Sequence, residues 1–60
     1  MWQVNYETFG EHKIKGKLEV DSKETALREF DKLYDAHEDI EIMVYDEEGF
    51  IYQSCTKGYE

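Results

Sequence analysis

Proline is absent from this chain, cysteine occurs once, and no apolar run approaches the ~18–20 residues that a membrane span needs. Each shortage removes an option. Without proline, repeats or low-complexity stretches there is no linker, so residues 1–60 read as a single small acidic α+β domain. A lone Cys55 excludes an internal disulfide and fits a reducing compartment. The start, Met1-Trp2-Gln3-Val4-Asn5, lacks a basic region followed by an apolar stretch, so no signal peptide and a cytoplasmic location are expected. No closed four-ligand metal set is legible, and neither a metal nor another cofactor is expected.

Basic residues are also scarce. Seven Lys and Arg stand against 15 Asp and Glu, for a net charge of -8. Phosphate binding depends on Lys and Arg, so nucleic acid is not an expected partner of the surface as a whole. Basic surfaces are the complementary ones. The imbalance is uneven: residues 1–18 carry a net of +1, residues 19–48 a net of -9, and the last twelve balance.

Length is the remaining shortage. A 60-residue chain buries only ~60% of the surface its unfolded form exposes. Its core then rarely supplies more than ~3–5 kcal/mol without a staple. Oligomerisation or a partner protein is therefore a natural expectation.

What is present divides the chain into five elements. Trp2, Val4 and Tyr6 alternate with Gln3, Asn5 and Glu7, the period of a half-buried strand over 2–8. Phe9-Gly10-Glu11-His12 reads as a turn. Ile14, Leu18 and Val20 then alternate with Lys13, Lys15, Lys17 and Glu19, and Gly16 on the apolar side leaves room for another element. Asp21 with Glu24 has capping-box spacing and opens a helix from Ser22 to about His37. Ala26, Leu27, Phe30, Leu33, Tyr34 and His37 form its apolar stripe.

A third strand follows, in which Ile40, Ile42 and Val44 alternate with Glu41, Met43 and Tyr45. Asp46-Glu47-Glu48-Gly49 is a turn, and a fourth strand runs from Phe50 to about Thr56. Closing this hairpin on a four-residue or a two-residue loop puts Ile51 and Cys55 on the face of Ile42 and Val44. Met43, Tyr45, Phe50 and Tyr52 then share the other. The expected fold is a two-layer ββαββ α+β domain, a four-stranded antiparallel sheet with one helix on one face. The helix covers the aliphatic side and leaves Met43, Tyr45, Phe50, Tyr52 and the three lysines on an open face.

That open face is the first candidate surface, an oligomer interface made by Met43, Tyr45, Phe50 and Tyr52. The competing explanation is cross-strand pairing, worth ~0.2–1 kcal/mol per aromatic pair without any partner. Aromatics beside Lys13, Lys15 and Lys17 also suit single-strand stacking, which the net charge opposes. The second candidate is an acidic, partner-binding surface of Asp31, Asp35, Glu38 and Asp39 with Asp46, Glu47 and Glu48. Asp31, Asp35 and Asp39 stack at four-residue steps, and acids at a helix C-terminus oppose the macrodipole. The competing explanation is a solvated face that maintains solubility.

Chemistry is harder to find. Asp35, His37 and Asp39 are spaced so that they scatter around a helix, and the 46–49 turn lacks the alternating ligands of a calcium loop. Cys55 has core parity, where a free thiol behaves as a small hydrophobe. No nucleophile elbow, phosphate loop or dinucleotide fingerprint occurs, so no catalytic residue is assigned and an enzyme is not expected. The expected function is a non-enzymatic binding or regulatory protein that engages a basic partner protein, with nucleic-acid mimicry as one form of it. The alternative is a structural homo-oligomer, a homodimer in its simplest form, held by the aromatic sheet face.

Overall fold

A computed structural model describes residues 1–9 and 13–58. These form β1 (Trp2–Thr8), β2 (Lys15–Val20), α1 (Lys23–Ala36), β3 (Ile40–Tyr45) and β4 (Ile51–Lys57). The four strands make one antiparallel sheet in the order β2-β1-β3-β4, and the helix packs on one face. This is the expected ββαββ architecture.

The strand order follows from lengths and hydrogen bonding. A 14-residue helix spans ~21 Å, close to the ~20 Å of a six-residue strand. The helix thus carries the chain back along the sheet, and β3 starts parallel to β2. Both are antiparallel to β1, so β3 takes the free side of β1. β4 then closes a hairpin on β3 and becomes an edge strand.

Alternation selects the core. Val4, Ile40, Ile42 and Val44 are fully buried beneath Ala26 and Phe30, with Trp2, Tyr6, Leu18, Val20, Leu33 and Cys55 packed around them. Gly16 lies opposite Tyr6, and a Cβ there would collide with the Tyr6 ring. The missing side chain lets the ring lie across β2, the close approach that its position in the sequence suggests. Ile14 departs from expectation. It lies before β2 and is half exposed, although its backbone stays tied to Thr8, with Thr8 N donating to Ile14 O at 2.8 Å and Ile14 N to Thr8 Oγ1 at 2.7 Å. The expected turn residues Gly10, Glu11 and His12 lie outside the described residues.

The helix start also differs. Ser22, not Asp21, is the N-cap: its Oγ accepts from Thr25 N at 3.3 Å and lies 3.0 Å from Thr25 Oγ1. Asp21 is exposed one residue too early to reach the third helical amide. Ser22→Ala should therefore cost ~1 kcal/mol, the usual loss for a cap. Asp21→Ala should stay within ~0.5 kcal/mol, as exposed substitutions do. Urea denaturation of both variants checks the assignment, and the reverse order of losses would restore Asp21.

At the other end no basic residue occupies the last helical turn. The cation comes from the sheet. Lys57 Nζ donates to Tyr34 O at 2.6 Å and lies 4.2 Å from the centroid of the Tyr34 ring. That ring stacks on Phe30 at 6.5 Å, so one lysine of β4 answers the helix C-terminus and covers an aromatic pair.

Candidate interaction surfaces

The acidic residues fall into two groups rather than one. Asp31 and Asp35 project from the helix, and Glu38 and Asp39 follow it, all exposed. Asp39 packs against Gly58, where an added Cβ would meet Asp39 Oδ1 and the Glu38 carbonyl. Asp46, Glu47 and Glu48 sit at the opposite end of β3. Seven residue steps separate Asp39 from Asp46, ~23 Å along a strand. The single dense anionic surface read from the sequence is thus divided by the length of the sheet. Sequence proximity misleads here because an extended strand, unlike a helix, carries its ends far apart.

Asp46 has a local duty as well. Its Oδ1 accepts from Glu48 N at 2.9 Å and from Phe50 N at 3.0 Å, which holds the turn. The remaining acids have no such partner in common. Among the described residues one ion pair is formed, Lys32 with Glu29 at 3.4 Å, and it involves none of the seven candidates.

The β3–β4 turn decides the composition of the open face. Asp46 N donates to Phe50 O at 2.8 Å and Gly49 N to Asp46 O at 3.1 Å. Three residues therefore separate the closing pair, and Gly49 takes the left-handed conformation at φ +90° that such loops require. An odd loop shifts the pairing by one. Tyr45 meets Ile51, and a bulge then restores the parity, so that Val44 meets Gln53 and Ile42 meets Cys55.

Two residues change sides as a result. Ile51, expected under the helix, is 59% exposed beside Tyr45. Tyr52, expected on the open face with Met43, Tyr45 and Phe50, turns to the helix side. Its ring meets Trp2 edge-on at 5.2 Å and lies 4.9 Å beneath Lys23 Nζ. Phe50 is 67% exposed at the turn. The candidate interface keeps Met43 and Tyr45, whose hydroxyl lies 3.5 Å from Met43 Sδ, with Ile51 in place of Tyr52.

Around these residues the open face is mostly polar. Cross-strand registers set Glu19, Gln3, Tyr45 and Ile51 in one row, and Lys17, Asn5, Met43 and Ser54 in the next. A third row holds Lys15, Glu7, Glu41 and Thr56. Lys13 is exposed ahead of β2. A shallow cleft of about 210 Å³ lies over Asn5, Glu7, Lys15, Glu41 and Met43. Asn5 Oδ1 is buried at its wall with no hydrogen-bond partner among the described residues.

Cys55 lies on the core side opposite Ile42, as its parity predicts, with its thiol free. Among the described residues no three His, Cys, Asp or Glu side chains converge as a metal would require. No helix of these residues is long and apolar enough to cross a membrane. Sequence reasoning passed over the outer strand. Residues 49–56 carry no charge in a chain that is 37% charged, a signal that was there to be read. Comparison with protein-family models, curated proteins and solved structures returns no match.

Proposed function

We propose that this is a non-enzymatic binding or regulatory protein whose acidic surface engages a basic partner protein. One observation carries the proposal. Asp31, Asp35, Glu38, Asp39, Glu47 and Glu48 all stand in solvent, and none takes part in the ion pair formed among the described residues. An uncompensated charge of -8 costs the folded state self-repulsion and steers cationic partners toward it. Two anionic groups ~23 Å apart complement a protein with two basic patches, whereas a nucleic-acid mimic would present a continuous charge row like that of a phosphate backbone.

The test is capture of a partner by immobilised protein at two ionic strengths. Retention should fall as salt rises from about 0.01 M, where the Debye length is ~30 Å, to about 0.15 M, where it is ~8 Å. Reversing either group, with Asp31→Lys and Asp35→Lys or with Glu47→Lys and Glu48→Lys, should release the same protein. Retention that ignores both salt and charge reversal would remove the electrostatic basis.

Self-association through the open face is the second reading, favoured by the exposed Ile51 beside the half-buried Tyr45 and Met43. An isologous two-fold contact would bury these residues and stabilise a thin core by mass action. Sedimentation over a range of concentrations distinguishes it, since a monomer into the high micromolar range leaves no role for a dimer.

A further inference from the structure

The two edges of the sheet are guarded differently. β2 presents Lys15, Lys17 and Glu19 to solvent, the charged side chains that deter a further strand. β4 has no charge from its turn glycine to Thr56, and no proline. Its own charged residue, Lys57, is bent back to the Tyr34 carbonyl. The bulge beside Tyr52 protects only the start of the strand, and Gln53 to Lys57 continue in regular pairing with β3. The helix lies mainly over β3 and β1, so Gln53 is exposed on the helix side, while Ser54 and Thr56 are exposed on the open face. Among the described residues no strand pairs with the outer side of β4, which leaves a row of N–H and C=O groups facing outward.

Acidic residues flank both ends of β4, and Lys57 at the far end is engaged at the Tyr34 carbonyl. Glu47 and Glu48 precede the strand in the turn, and Glu38 and Asp39 flank its far end, as the contact of Asp39 with Gly58 requires. We infer that the outer edge of β4 accepts an extended segment of the partner protein as a fifth strand, uncharged along its middle and carrying Lys or Arg at both ends. Main-chain hydrogen bonds supply the attachment and the terminal cations answer the two acidic groups. Because acidic residues flank both ends of β4, the charges accept either strand direction. The inference rests on the proposed basic partner and adds the manner of its docking. A second copy fits the edge less well, because antiparallel pairing of two β4 strands would bring the acidic turn of one against Glu38 and Asp39 of the other.

The probe is the synthetic peptide Lys-Lys-Val-Thr-Val-Thr-Val-Lys-Lys, titrated into the full chain by amide NMR. Two further versions carry backbone N-methyl groups on alternate central residues, one set on each side of the strand, with charge unchanged. The parent peptide should shift and protect the amides of β4. One N-methylated version should bind at least about tenfold more weakly than the other, because only one side of the strand meets the edge. Equal binding of both versions, or binding that leaves β4 unshifted, overturns the strand addition while the basic-partner reading stands. Absence of binding at millimolar peptide, with partner capture still salt-sensitive, also overturns it. Absence of both removes the two together. Protection of β4 amides that rises with protein concentration alone assigns the edge to a second copy and overturns the proposal.

Discussion

Phe30→Ala is expected to leave most of the chain unfolded. The ring is buried against Val4, Ile40, Ile42 and Val44 at the centre of the helix–sheet contact. Truncating a buried Phe costs ~3–5 kcal/mol, from lost transfer energy and from the cavity that remains. A core of this size contributes about the same amount, ~3–5 kcal/mol. Collapse around the gap offers little relief, since the fully buried strand side chains beneath it are fixed by the sheet. The loss reaches further, because Tyr34 stacks on Phe30 and Lys57 lies over Tyr34. Far-UV circular dichroism in a urea titration checks it. A cooperative transition with a midpoint close to that of the parent would mean that the helix does not pack through Phe30.

The second large effect is a contrast between two isoleucines. Ile42→Ala should cost ~2–5 kcal/mol, the range for an aliphatic side chain removed from a core. Ile42 is fully buried between Tyr6 on β1 and Cys55 on β4. Ile51→Ala should stay within ~0.5 kcal/mol, as substitutions at exposed sites do. Simple alternation through an even-numbered turn makes the two residues equivalent. The three-residue loop at Gly49 and the bulge after it make them opposites. Equal losses would show that Ile51 is beneath the helix and that the turn has been placed one residue out.

These pairs mark the limit of sequence reasoning for this chain. Trp2–Thr8, the helix near 22–37 and the strand from Ile40 were legible because periodicity is local: each residue's face follows from its neighbours. Cys55 lies on the expected face because the two shifts between it and Tyr45 cancel. Ile51 and Tyr52 sit between those shifts and were assigned to the wrong faces. The candidate site suffered more than the fold. Its acids were grouped by sequence proximity, and the length of β3 separates them.

Composition and periodicity by themselves determined an acidic ββαββ chain with an aliphatic side to its sheet and no internal disulfide. Both are properties of short windows of sequence, governed by side-chain direction and transfer energy. The tertiary structure alone decided the order β2-β1-β3-β4, the turn that exposes Ile51, the lysine of β4 that serves the helix C-terminus, and the strand, uncharged through Thr56, left at the edge. Each of these depends on residues distant in sequence competing for the same hydrogen bonds and the same apolar surface. That competition is settled only when the layers come together.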